Sequence, residues 1–85
     1  MKKFEYIITQ PAGIHAIPAG LLVKEISVYK SLITIERNGQ KADGKRLMSI
    51  MALGVSCREK VTFIIEGTDE DMAAIKLEAF CRKNL

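Results

Sequence analysis

The sequence predicts a small α+β domain in which helices cover one face of a four-stranded sheet. Two observations support this fold class. Segments with strand-like alternation of apolar residues are interleaved with segments of helical periodicity, in the order β-α-β-β-α-β-α. Each segment also has one apolar face, so two layers packed together would bury all of them. With 85 residues, the chain is long enough for one domain only, residues 1–85.

The first strand and the first helix are separated by a short loop. Residues 3–9 form a predicted strand, and the Pro-Ala-Gly sequence at residues 11–13 ends it. From residue 15 to about residue 27, apolar residues recur every three or four positions, which is typical of an amphipathic helix. Pro18 fits within the first turn of that helix. Gly20 indicates close packing against a neighbouring element.

A hairpin and a short helix occupy the middle of the chain. Residues 32–37 and 40–43 are predicted strands, and Asn38-Gly39 between them is typical of a type I′ turn, in which both central residues have positive φ. Apolar residues between positions 47 and 53 predict the short second helix. Gly54 is expected to end that helix in the left-handed conformation.

A fourth strand and a last helix complete the chain. Residues 60–66 alternate between apolar and polar side chains and form the predicted strand. Thr68 is expected to be the N-cap of the last helix, with the acidic residues 69–71 in its first turn. Arg82 and Lys83 lie near the other end, where cations interact favourably with the helix dipole.

Composition argues against several classes of protein. The formal net charge is only +3, and the basic residues are scattered, whereas a nucleic-acid-binding domain usually carries a clustered basic stripe. A mildly basic surface favours an acidic protein partner instead. No apolar run approaches the roughly 20 residues that cross a bilayer, and the first apolar run ends at Thr9 without the features of a signal peptide. We therefore expect a cytoplasmic protein without membrane insertion.

The cysteines and the histidine predict no metal site. Cys57 and Cys81 are the only cysteines, and their separation fits no common metal-binding or redox spacing. We expect two free thiols in a reducing cytosol, while the sequence leaves a disulfide between them open. His15 is the only histidine, and zinc requires three or four ligands. The sequence therefore predicts neither a metal nor a cofactor.

His15 is the strongest candidate for chemistry because of its position. It lies between the loop at residues 11–13 and the first helix, where it is expected to be the N-cap. The N–H groups of Ala16 and Ile17 would then have no partners within the helix and would point at an anion held by His15. A neutral imidazole is a nucleophile, and a phosphoryl group on it would carry close to two negative charges, which the helix start compensates. An exposed histidine without a chemical role is the alternative interpretation.

Four segments of the sequence resemble one known family. Residues 11–19 read Pro-Ala-Gly-Ile-His-Ala-Ile-Pro-Ala. They resemble the phosphorylation segment of HPr, the histidine-containing phosphocarrier of the bacterial sugar phosphotransferase system. Residues 38–41, 45–54 and 66–70 resemble the hairpin, the second helix and the start of the last helix in that family. The resemblance implies an open-faced β-sandwich, a four-stranded antiparallel sheet with three helices on one face.

The resemblance also implies a function and a set of partners. Enzyme I, itself phosphorylated by phosphoenolpyruvate, would give its phosphoryl group to Nδ1 of His15, and the chain would pass it to a sugar-specific enzyme IIA. Such a protein is a carrier with a transient phosphohistidine and not an enzyme in the usual sense, and a monomer is the family expectation. By the same resemblance, the partner-docking surface of the family would be formed here by Leu47, Met48 and Met51, with Lys24 and Lys45 at its rim.

Two residues depart from the family pattern. Ile17 stands where the family has an arginine that pairs with the phosphoryl group, so only the backbone N–H of this residue remains to bind phosphate. Arg46 stands where many members have a serine that a kinase phosphorylates, so we expect no regulation of that kind. One hypothesis is that Arg46 leans toward the phosphoryl group and replaces the missing guanidinium. A solvated arginine is the simpler interpretation.

These departures keep a second function open, an HPr-like paralogue that binds a regulatory partner with little or no phosphoryl transfer. For Leu47, Met48 and Met51, simple packing in the core is the alternative to partner docking. A third possibility is an unrelated module for RNA or metal. It is disfavoured because the sequence has neither a run of surface aromatic residues nor a cluster of metal ligands.

Overall fold

A computed structural model describes residues 1–85 and contains the seven expected elements in the expected order. The strands are β1 (Lys2–Ile7), β2 (Leu32–Arg37), β3 (Gln40–Asp43) and β4 (Lys60–Glu66). Neighbouring strands are all antiparallel, and their order across the sheet is β1-β4-β2-β3. The α+β fold with an antiparallel four-stranded sheet is therefore confirmed. The helices are α1 (Ala16–Ile26), α2 (Leu47–Ala52) and α3 (Glu70–Asn84).

The alternation in the central strands determines which face of the sheet the helices cover. Ile35 lies opposite Phe63 in the β2–β4 ladder, and both side chains are fully buried. The intervening residues, such as Thr62, are only partly buried and face the open side of the sheet. One apolar cluster joins the covered face to all three helices. Its fully buried helical members are Ala19, Leu22 and Ile26 of α1, Ile50 of α2, and Ala73, Leu77 and Cys81 of α3.

Two turn predictions are confirmed by backbone angles. Asn38 and Gly39, between β2 and β3, have φ of 49° and 82°, the positive values that a type I′ turn requires. Gly54 has φ of 62°, two residues after the end of α2 at Ala52, so it ends that helix in the left-handed conformation.

The predicted packing role of Gly20 is wrong. A Cβ atom added at Gly20 would have no other atom within 4 Å, apart from its own helix and chain neighbours. The glycine is therefore not required by a close contact, and the helix would accept a larger residue at this position.

The predicted cap of the last helix is also wrong by one residue. The N-cap is Asp69 and not Thr68, and its side chain makes no capping hydrogen bond. Instead, the Asp69 carboxylate accepts hydrogen bonds from the N–H groups of Lys30 and Ser31, at 2.8 and 2.9 Å, and from the Ser31 hydroxyl. These bonds hold the pKa of Asp69 below its usual value. The carboxylate therefore ties the start of α3 to the turn between α1 and β2.

No helix of the structure has the length and apolar character needed to cross a lipid bilayer. Cys57 and Cys81 are both free. Cys81 is fully buried in the core, and burial raises the pKa of its thiol to about 12. Its environment therefore keeps this thiol protonated at neutral pH.

Candidate functional site

The loop that precedes α1 is fixed by a close contact with the segment between α2 and β4. Ile14 donates its N–H to the carbonyl oxygen of Val55 at 3.0 Å, and both side chains are buried. Gly13 has φ of 70°, and a Cβ atom there would clash with the Val55 carbonyl oxygen and with the Cα atom of Ser56. Only glycine allows this approach and this conformation together. The Gly13 backbone therefore lies in close contact with another loop of the same chain.

The other end of the loop is held by the C-terminal residues. The carbonyl oxygen of Leu85 accepts hydrogen bonds from the N–H groups of Thr9 and Gln10, at 2.6 and 3.0 Å. The side-chain amide of Gln10 donates to the carbonyl oxygen of Asn84 at 3.1 Å. The Leu85 side chain is buried. The loop that leads to His15 is thus held from two sides.

His15 is the N-cap of α1, as expected. Its backbone is extended, with φ of −97° and ψ of −169°, and its carbonyl oxygen accepts the first helical hydrogen bond from the Ala19 N–H at 2.9 Å. The imidazole is exposed and makes no capping hydrogen bond. Both ring nitrogens are therefore free to react or to bind a partner.

The start of α1 presents unpaired amide groups beside this ring. The N–H groups of Ala16 and Ile17 have no acceptor within the protein, and Pro18, the next residue, has no N–H to donate. The first turn of α1 contains no acidic residue, so no carboxylate of this helix competes for the two amides. Free N–H groups and the positive end of the helix dipole together favour an anion at this position.

The predicted docking residues differ in their exposure. Leu47 and Met48, in the first turn of α2, are 39% and 73% exposed. Met51 is partly buried and packs against the core, so the alternative interpretation of core packing holds in part for this residue. Two further apolar residues are exposed on α1, which were not part of the predicted surface. They are Ile17 and Leu21, at 71% and 45%.

The two lysines predicted at the rim differ from each other. Lys24 is exposed on the last turn of α1 and forms no ion pair. Lys45 is also exposed, but its Nζ donates to the carbonyl oxygen of Tyr29 at 3.0 Å. The ammonium group of Lys45 therefore helps to fix the turn after α1 and is less available to a partner than that of Lys24.

Arg46 is the N-cap of α2, and the contact of its side chain is with Asp43 and not with His15. Its Nε lies 3.5 Å from an Asp43 carboxylate oxygen, and 76% of its side chain is exposed. An Arg46 that replaced the missing guanidinium would first have to leave Asp43. In this structure Arg46 is a solvated arginine in a surface ion pair, and its replacement of the missing guanidinium stays a hypothesis.

The partners that hold this loop were not predictable from the local sequence. The carbonyl oxygen of Leu85 and the carbonyl oxygen of Val55 are backbone groups, which any residue supplies, and their partners are distant in the chain. The only local signal was the Pro-Ala-Gly sequence at residues 11–13, which indicates a turn but not its partners.

Fold and site together define a class of protein, a small α+β domain that exposes a single histidine beside unpaired amide groups at a helix start. Three comparisons narrow this class. The family model described as "PTS HPr component phosphorylation site" matches residues 2–83. A phosphocarrier protein HPr from Mycoplasma genitalium is 36% identical over 85 residues, which are 99% of this chain and 97% of the relative.

Solved structures give the same result. An HPr from Thermoanaerobacter tengcongensis superposes with a TM-score of 0.94 at 36% identity, and the match covers 99% of this chain and 94% of that one. Crh, a catabolite repression protein of Bacillus subtilis whose crystal structure is a domain-swapped dimer, superposes with a TM-score of 0.78 at 33% identity. That match covers 100% of this chain and 98% of Crh.

The chain belongs to the PTS-HPr family. The resemblance seen in the sequence is therefore confirmed, together with the open-faced β-sandwich and the role of a phosphocarrier in the phosphotransferase system that it implied.

Proposed function

We propose that His15 is the residue that carries the phosphoryl group, which it accepts from enzyme I and passes to an enzyme IIA. In the first transfer, Nδ1 attacks phosphorus while Nε2 keeps its proton. The new Nδ1–P bond forms as the bond between phosphorus and the donor breaks, and the second transfer reverses these roles. The chain is thus a carrier between two proteins and turns over no free small molecule.

One observation carries this proposal, the exposed imidazole next to two unpaired N–H groups. A phosphoryl group on Nδ1 would bring close to two negative charges to the start of α1. The N–H groups of Ala16 and Ile17 have no acceptor within the protein and are already oriented, so they would bind that charge without a rearrangement. We propose them as the phosphate-stabilising groups of this site.

The surface around the site suits a protein partner. Leu47 and Met48 are exposed on α2, and Lys24 adds an unpaired positive charge on α1. An apolar centre with a basic rim favours partners with an apolar centre and acidic residues around it. We propose these residues as the docking surface for enzyme I and enzyme IIA, with Lys45 and Met51 contributing less because they are held within the fold.

Phosphorylation by purified enzyme I tests the assignment of His15. The chain is incubated with phosphoenolpyruvate and enzyme I, and its intact mass is measured before and after mild acid treatment. We expect the gain of one phosphoryl group, its loss in acid, and no gain in His15→Ala. Phosphorylation of His15→Ala to the same extent would overturn the assignment.

A second candidate function is a regulatory protein that uses the same surface for binding alone. The isoleucine at position 17 favours it, because no guanidinium is available to pair with the phosphoryl group. The relative Crh carries a catabolite repression role in its name, so this fold also occurs in proteins named for regulation. No mass gain with enzyme I, in a chain that still binds enzyme I in a titration, would favour this candidate.

We also propose that the protein acts as a monomer in the cytosol. Both cysteines are free, which fits a reducing compartment. The domain-swapped dimer of Crh makes the oligomeric state worth measuring. Sedimentation at micromolar concentration is expected to give the mass of one chain, and a stable dimer would contradict the proposal.

A further inference from the structure

Arg37, the last residue of β2, contacts two segments that lie close to the site. Its Nη1 donates to the carbonyl oxygen of Leu53 at 2.8 Å, and its Nη2 donates to Oε2 of Glu59 at 2.7 Å. Leu53 is the C-cap of α2, the helix that carries the proposed docking residues. Only 24% of the Arg37 side chain and 29% of the Glu59 side chain are exposed, so the pair is partly shielded from water.

Glu59 in turn fixes the tight turn that precedes β4. Its second carboxylate oxygen accepts the N–H of Ser56 at 2.7 Å, and its own N–H donates to the carbonyl oxygen of Ser56 at 3.1 Å. Arg58 within this turn has φ of 73°, which is unfavourable for a residue other than glycine. The turn is therefore held in its conformation by the bonds of Glu59. The bond from Arg37 is the main reason that the pKa of Glu59 lies below its usual value.

The loop that leads to His15 packs against this turn. Val55, the residue before Ser56, accepts the N–H of Ile14 at 3.0 Å, and Gly13 lies against Val55 and Ser56 so closely that a Cβ atom would not fit. Ile14 is the residue immediately before His15. A continuous set of hydrogen bonds thus runs from the end of α2 through Arg37, Glu59 and the turn to the residue next to the phosphoryl acceptor.

A contribution to the stability of the fold does not by itself explain the Arg37–Glu59 ion pair. The Nε atom of Arg37 is buried without a hydrogen-bond partner, and a buried, unsatisfied N–H group is costly. Apolar residues of similar volume often replace partly buried ion pairs without loss of stability. An apolar residue at position 37 would supply neither a donor for the Leu53 carbonyl oxygen nor a directed hydrogen bond to Glu59.

We infer that the Arg37–Glu59 ion pair positions the His15 loop relative to α2, so that the acceptor ring and the docking surface meet a partner in the correct relative arrangement. The inference rests on the proposed function. Neither residue touches the phosphoryl group, so both are positioning residues and not catalytic ones. Small displacements of reacting groups caused by distant residues can slow a reaction by up to about two orders of magnitude.

Three variants and a control test this inference. Arg37→Gln and Glu59→Gln each remove the ion pair, and the double variant removes both partners. Glu59→Gln retains an acceptor for the Ser56 N–H, so it serves alone if Arg37→Gln fails to fold. The control is Ile65→Val, which loses a buried methylene at the other end of β4, where Ile65 faces Lys2 of β1. This control separates a general loss of stability from a loss of positioning.

The first readout is the initial rate of phosphoryl transfer from phosphorylated enzyme I, under conditions in which every variant is folded. We expect each single variant to be roughly tenfold slower than the unaltered chain, the double variant to be no slower than the slower single variant, and Ile65→Val to be nearly unchanged. A rate for Arg37→Gln and Glu59→Gln equal to that of Ile65→Val would overturn the inference. Additive effects in the double variant would also overturn it.

The second readout does not depend on phosphoryl transfer. Amide exchange of Ile14 and the NMR shifts of the Ala16 and Ile17 amides are measured without enzyme I. We expect faster exchange and altered shifts in Arg37→Gln but not in Ile65→Val. If enzyme I does not phosphorylate the unaltered chain, the proposed function fails, and this readout alone decides whether the pair positions the loop. Unchanged amides in Arg37→Gln would overturn the inference.

Discussion

At the scale of single residues, His15 depends on its neighbours for position and not on contacts of its own side chain. The ring makes no capping hydrogen bond, whereas Ile14 is buried and bonded to Val55 and Ala19 is bonded to the His15 carbonyl oxygen. The exposed ring therefore lies between two residues whose backbones are held by hydrogen bonds. This arrangement fits the proposed role of His15, in which the ring meets enzyme I and an enzyme IIA in turn.

Ile17 gives the first prediction, because it leaves the site without a guanidinium. Ile17→Arg is expected to speed phosphoryl transfer from enzyme I by about one to two orders of magnitude. A charge-assisted hydrogen bond contributes roughly 1.5–3 kcal/mol if all of it is realised in the transition state. The measurement is the initial transfer rate at moderate salt.

The matched control for this variant is Val28→Arg. Val28 is exposed to the same extent as Ile17, 71%, but lies beyond the C-terminal end of α1. Adding the same charge there should leave the rate nearly unchanged. Equal acceleration by both variants would show that net charge, and not contact with the phosphoryl group, limits the reaction.

Gly13 gives the second prediction. Gly13→Ala is expected to lower the free energy of unfolding by about 2–5 kcal/mol, since the left-handed conformation and the forced contact with Val55 each add a cost. Urea denaturation measures the change. A loss below about 0.5 kcal/mol, which is the range of ordinary surface substitutions, would contradict the contact between the two loops.

At the scale of elements, replacing glycine by alanine is expected to have opposite effects within α1 and in the loop that precedes it. Gly20→Ala is expected to raise the free energy of unfolding by about 0.5–1 kcal/mol, because Gly20 is within the helix and a Cβ atom there meets nothing. The same urea measurement used for Gly13→Ala checks it. A loss of stability would show that the space beside Gly20 is not available.

The start of α3 gives a prediction about pH. The folded-state pKa of Asp69 is lowered by its bonds to Ser31 and Lys30, so the charged carboxylate stabilises the fold above the ordinary aspartate pKa of about 3.9. That contribution is lost as the pH falls from about 3.9 through the lowered value. Asp69→Asn is expected to reduce stability at neutral pH and to weaken the pH dependence below pH 4. Parallel acid-unfolding curves for the two proteins would contradict this role.

The predicted bounds of strands and helices were correct where they depend on a local sequence pattern. The strands at residues 32–37, 40–43 and 60–66 were predicted with the bounds that the structure shows, because strict alternation and a type I′ turn leave little freedom in register. The cap of α3 was predicted at Thr68 instead of Asp69. Both residue types are good N-caps. Asp69 differs from Thr68 in its hydrogen bonds with Ser31, and the local sequence does not reveal them because Ser31 is distant in the chain.

At the scale of the whole molecule, the site lies where several distant segments converge. The end of β1, the start of α1, the turn before β4 and the C-terminal residue meet around the loop at residues 9–14. The sequence predicted His15 and its amides, because both belong to one short segment. It did not predict Arg37, Glu59 or Leu85, because their roles depend on which strands become neighbours and on backbone groups that carry no sequence signal.

The central claim is that a phosphoryl group on His15 is held by the amides at the start of α1. The most direct measurement is an NMR comparison of the nitrogen-labelled chain before and after phosphorylation by enzyme I. We expect phosphorus coupling to Nδ1 of His15 and the largest amide shifts at Ala16 and Ile17. Phosphorylation at another residue, or His15 phosphorylation that leaves these two amides unshifted, would contradict the account.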